Sequence, residues 1–139
     1  MKVKQETLSF KTKGECDLID ISSSLYEILN KADINDGLLT AFIPGSTAGI
    51  TTIEYESGLI KDIKEFFNKT IPRNKEYHHN LTWGDGNGFS HVRAALLGPS
   101  LSIPFFNKKL TLGTWQQVVV IDFDNRPRNR KVIIQIIGD

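Results

Sequence analysis

The stretch Ser100 to Ile137 reads SLSIPFFNKKLTLGTWQQVVVIDFDNRPRNRKVIIQII, and its pattern decides the fold class. Ser100 to Phe106 predicts a strand, and Asn107-Lys108-Lys109 a turn. Leu110 to Phe123 follows as one long strand. Its centre, Val118-Val119-Val120-Ile121, has no polar interruption, which predicts burial on both faces. Gly113 inside such a strand marks a bulge or a close backbone approach. Trp115 is then core or subunit interface, and Gln116 a polar group free to meet a ligand. Asn125 to Asn129 is a charged turn, and Arg126, Arg128, Arg130 and Lys131 form a solvated hairpin end. Val132 to Ile137 is the last strand. Three strands joined by short turns predict a meander.

Upstream, Leu8-Ser9-Phe10-Lys11 alternates as a half-buried strand does, within Val3 to Thr12. Ser24 and Glu27 have capping-box spacing, and Leu25, Ile28, Leu29 and Ala32 follow at helical intervals, so a helix spans about 23–32. Leu38 to Ile43 and Ile50 to Tyr55 read as strands separated by the loop Pro44 to Gly49. Ser57 caps a helix over 57–69, whose Leu59, Ile60, Ile63, Phe66 and Phe67 make one apolar stripe. Residues 72 to 88 have no periodicity and read as a loop, and Asn87 caps a short helix that ends at Gly98-Pro99. The expected class is α+β: one domain over 1–139, with a mixed, largely antiparallel sheet and two to three helices.

Composition narrows the functions. The chain has 139 residues, 17 basic against 16 acidic, for a net charge of +1. That balance excludes a dedicated nucleic-acid binder, which carries a concentrated basic excess. Hydrophobic residues at 40% and charged residues at 24% describe an ordinary globular chain. Cys16 is the single cysteine. The polar start MKVKQETLSFKTKGE and the lack of a long apolar run point away from membranes and towards the cytoplasm.

All three histidines, His78, His79 and His91, fall in one short region. On an extended segment adjacent residues diverge, so only one of His78 and His79 shares a side with His91. Two imidazoles and a carboxylate are a familiar zinc arrangement, and Asp85 and Glu54 are the candidate carboxylates. No HExxH is present, and surface or hydrogen-bonded histidines are the plainer alternative. Gly84-Asp85-Gly86-Asn87-Gly88 opens a helix, whose N-terminus favours anions, and Arg93 one turn in would clamp a phosphate. The alternative for that loop is an irregular turn with glycines at φ > 0. Pro44 to Gly49 supplies Ser46 and Thr47 as ligand-binding hydroxyls, without the partners of a serine nucleophile. The candidates are thus His91, Glu54 and Asp85 for catalysis, His79 and His91 for a metal, and Ser46, Thr47, Asn87, Arg93 and Gln116 for ligand binding.

Ser100-Leu101-Ser102-Ile103-Pro104 followed by Leu112-Gly113-Thr114-Trp115-Gln116-Gln117 resembles the signature of the YjbQ-type family of small uncharacterised proteins. His91-Val92-Arg93-Ala94-Ala95-Leu96-Leu97-Gly98 is similar to the helix before it, and Pro44 to Glu54 to the family's loop and strand. The likeness runs from about residue 37 to the C-terminus. It implies an α+β homotrimer, and the label of secondary thiamine-phosphate synthase. That reaction joins a pyrimidine diphosphate to a thiazole phosphate and releases diphosphate, so a small phosphorylated molecule is the implied partner. It also implies a divalent metal (zinc or magnesium) near His79 and His91. Many relatives carry a histidine where this chain has Gly45. The alternative function is a non-catalytic metal- or metabolite-binding trimer.

Overall fold

The structure is a computed structural model describing residues Met1–Asp139. Its first half runs β1 (Lys2–Thr12), β2 (Asp17–Asp20), α1 (Ser22–Lys31), β3 (Gly37–Phe42), β4 (Ala48–Ile53) and α2 (Ser57–Thr70). The second half runs α3 (His78–Trp83), α4 (Gly88–Leu97), β5 (Ser100–Phe106), β6 (Lys109–Leu110), β7 (Gln117–Asp122) and β8 (Arg128–Gly138). The strands form two sheets, ordered β1-β8-β3-β5-β6 and β2-β7-β4. The class is α+β, as the sequence predicts, and every strand pair is antiparallel.

Period-two alternation along β7 explains the layering. Val118 and Val120 face a core shared with α1, β3 and β8, between the two sheets. Val119, Ile121 and Phe123 face a second core, built with Phe67 of α2, Ile71 just after that helix, and Phe89 and Ala94 of α4. The uninterrupted valine run therefore serves two cores, one on each side of the smaller sheet. The order is large sheet, small sheet, then the helices α2 and α4.

Several local expectations are corrected. The last strands are no meander: β5 pairs with β3, β8 lies between β1 and β3, and β7 belongs to the other sheet. The strand expected over 110–123 is broken, because Gln116 N–H donates to the Gly113 carbonyl and the Gln116 side chain accepts from Gly113 N–H. Trp115 rides that turn and is 71% exposed, so it is not core. Helix α1 begins at Ser22 without a side-chain cap, and the Ser22 hydroxyl accepts instead from Val118 N–H. Glu56, not Ser57, caps α2, accepting from the N–H groups of Gly58 and Leu59. The loop expected over 72–88 contains the six-residue helix α3.

Candidate functional site

The short helix α3 exists to bring one face of residues 78–83 against α4. The backbone of Gly88, at the start of α4, touches α3 directly: a Cβ there would lie 2.5 Å from Tyr77 Cβ and 3.0 Å from Asn80 Oδ1. Asn80 Oδ1 accepts from Gly88 N–H at 3.0 Å, and the Tyr77 hydroxyl donates to the Pro72 carbonyl at 2.6 Å. The loop between the helices turns on Gly84 and Gly86, at φ +64° and +63°. Asn87 Oδ1 accepts from the Ser90 hydroxyl at 2.6 Å and from Asn125 N–H at 3.2 Å, which locks the loop to the end of β7.

This framework stacks His79 against His91, with ring centroids 4.2 Å apart and planes tilted by 37°. Helical geometry, not an extended segment, separates His78 from His79, and His78 is left exposed. Asp85 Oδ1 stands 3.7 Å from His79 Nδ1, a buried atom with no hydrogen-bond partner. His91 faces outward into a cleft of about 360 Å³, lined also by Gly45, Ser46, Ala48, Ala94, Ala95 and Pro99. Burial pushes the His91 imidazole below its usual range, and the neighbouring His79 adds to this. Asp85 and Asp124 pull the other way without reversing it. His91 is thus biased to the neutral form, able to accept a proton or a ligand.

Behind the cleft lies a buried ionic network that the sequence reading missed. Arg130 reaches Asp122 through Nε at 2.7 Å and Nη2 at 2.8 Å, and Nη2 also donates to the Thr47 hydroxyl at 2.6 Å. The Thr47 hydroxyl donates to Asp124 at 2.9 Å, and Arg128 pairs with Asp124 at 2.9 Å. Burial raises the Asp124 carboxyl, but hydrogen bonds from Thr47, Arg128 and Asn87 outweigh it and hold the group below its usual range. Arg130 is therefore no solvated hairpin end. Period two was the available signal: Arg128 and Arg130 alternate in phase with the buried Val132, Ile134 and Ile136. Gly45, at φ +113°, rests over this network, with Arg130 Nη1 3.2 Å from where its Cβ would be.

The candidates divide by place. His79, His91 and Asp85 are brought together, and Ser46 stands on the cleft wall. Thr47 and Asn87 are buried and spent on the supporting hydrogen bonds. Glu54 is exposed beyond the far end of β4, about 20 Å from its start at ~3.3 Å per residue. Gln116 donates to the Thr52 hydroxyl in a separate groove of about 420 Å³ between β4 and β5. Arg93 points away from the Gly84–Gly88 loop into the second core, where Nε and Nη2 donate to the Ile71 carbonyl at 3.0 and 2.8 Å.

A resident metal does not fit these residues as they stand. No group of three His, Cys, Asp or Glu side chains is arranged to hold an ion. A catalytic zinc takes three protein ligands, and Gly45 offers no side chain.

Fold and site together define a small two-sheet α+β protein with a cleft between a loop and α4, onto which one of two stacked imidazoles opens. The model of the family described as UPF0047 protein YjbQ-like matches residues 6–139. The chain belongs to this family, whose function is not established. A UPF0047 protein of Methanothermobacter thermautotrophicus is 37% identical over 138 residues, covering 99% of this chain and 94% of that one. The crystal structure of a YbjQ-like protein of unknown function from Sulfolobus solfataricus superposes with a TM-score of 0.94 at 30% identity, covering 99% of both chains. That of a YjbQ/UPF0047 family protein from Clostridium acetobutylicum gives a TM-score of 0.87 at 34% identity, over 95% of this chain and 99% of that one. No helix is long and apolar enough to cross a membrane.

Proposed function

We propose that the chain is a cytoplasmic enzyme acting on small phosphorylated molecules at the His91 cleft. The reaction that the family likeness implies is thiamine-phosphate synthesis from a pyrimidine diphosphate and a thiazole phosphate. The observation that carries the reading is the stacked pair: a partly desolvated imidazole, backed by a second ring and then a carboxylate, opens onto a cleft. In this role His91 exchanges a proton with the bound molecule. Asp85 and Asp124 favour the charge that His91 acquires, and His79 packs against its ring and holds it at the cleft. The Ser46 hydroxyl offers a hydrogen bond at the wall.

The homotrimer belongs to this proposal. Leu81, Trp83, Val92 and Leu96 are exposed around α3 and α4, at the flank of the cleft. Such a cluster suits burial against another copy. Light scattering of the purified chain checks it, with three times the 15.6 kDa chain mass expected.

Turnover is tested by mixing purified protein with both precursors, with and without magnesium or zinc, and following diphosphate release. Product that disappears in His91→Ala, with the fold retained by circular dichroism, supports the reading. Saturable precursor binding without product under any metal favours the non-catalytic metabolite-binding trimer instead.

A further inference from the structure

On the side of α4 opposite His91, a small polar cavity of about 170 Å³ is lined by Glu15, Asn68, Arg73, Phe89 and Arg93. Its floor is unusual. Arg93 is 2% exposed, yet it forms no ion pair with any carboxylate. Its guanidinium is held by one backbone carbonyl, by Asn68 Oδ1 at 3.3 Å and by the ring faces of Phe89, Phe67 and Phe123. Nη1 takes part in no hydrogen bond. A buried charge without a counter-charge is costly, and carbonyl and aromatic partners compensate it only in part.

The rim adds a second guanidinium. Arg73 is paired with Glu15 across the cavity mouth. Glu15 is presented there by a turn in which Gly14, Glu15 and Cys16 all have positive φ, at 77°, 54° and 66°. Two consecutive non-glycine residues in that region are strained. The Asn68 amide oxygen faces Arg93, so its NH2 group is free to donate elsewhere. The lining thus holds two guanidiniums and one amide donor against a single carboxylate that Arg73 already engages.

We propose that this cavity is an anion site, and that its occupant is a tetrahedral phosphate, free or as the terminal group of a small ester. A phosphate would supply the missing counter-charge to Arg93 and take Arg73 as a second arm. The volume admits a phosphate group but not a nucleoside. The inference is independent of the His91 cleft, since the two pockets lie on opposite faces of α4.

Calorimetric titration with inorganic phosphate tests it, on wild type and on Arg73→Gln, Glu15→Gln and His91→Gln. These substitutions avoid the buried Arg93, whose removal endangers the second core. Wild type is expected to bind one phosphate saturably. Arg73→Gln weakens binding by about tenfold or more, the loss of one charge-assisted contact. Glu15→Gln tightens it by removing a like charge, and His91→Gln leaves the Arg73-dependent binding unchanged. Methyl phosphate in the same titration separates a site for the free ion, which excludes the ester, from one for a phosphomonoester, which takes both. No saturable binding overturns the proposal. So does an unchanged affinity in Arg73→Gln, a weakened one in Glu15→Gln, or a loss confined to His91→Gln.

Discussion

Replacing Arg130 by methionine tests whether the ionic network behind the cleft holds the two sheets together. The change keeps most of the aliphatic stem and removes the guanidinium. Asp122, fully buried, loses contacts at 2.7 and 2.8 Å and keeps only the Thr12 hydroxyl at 2.6 Å and Asp124 N–H at 3.0 Å. Asp124 keeps Arg128, so the damage centres on Asp122. Stranding one member of a buried pair costs about 3–5 kcal/mol. For a chain of this length that lowers Tm by about 10–15 °C. Adding Asp122→Leu removes the stranded charge, and the double variant is expected to recover at least ~1 kcal/mol relative to the sum of the single changes. Urea unfolding with global fitting measures all three. A loss below about 1 kcal/mol in Arg130→Met would refute the reasoning, because exposed pairs contribute no more than that.

Other outcomes follow from the same geometry. His91 titrates below its ordinary 6.5, moving up in His79→Ala and further down in Asp85→Asn, as ring-proton NMR reads directly. Because the folded chain then binds this proton less readily than the unfolded one, stability from His91 is complete above pH 6.5 and declines as pH falls through its depressed pKa. Gly88→Val drives Tyr77 away from α4, costing about 1–3 kcal/mol and parting the two imidazoles, so the His91 midpoint rises towards its ordinary value. Glu56→Ala removes the α2 cap and lowers the denaturant midpoint of unfolding without moving the His91 midpoint.

What the sequence showed depended on whether burial left a period. Helix α2 and the central valines of β7 were legible because their apolar residues recur with a single rule, 3.6 or 2. Helix α3 was not, because it has six residues, no buried side chain and no side-chain cap. The pairing of β8 between β1 and β3 was equally hidden, since its partners lie far away in sequence. Residues clustered in sequence, His79, His91 and Asp85, also lie together in space. The direction of Arg93 is not legible, because its place one turn into a helix does not say which face meets the core. Charge in a turn usually faces solvent, so only the phase of Arg128 and Arg130 with Val132 marks the buried ion pairs as inward-facing.

Imidazole nitrogen spectra recorded while the thiazole phosphate is added address the site most directly. Saturable movement of the His79 and His91 signals, with the exposed His78 unmoved, is the result expected of a binding cleft built on that pair. Shifts confined to His78, or none at any of the three rings up to saturation of the phosphate, would contradict it.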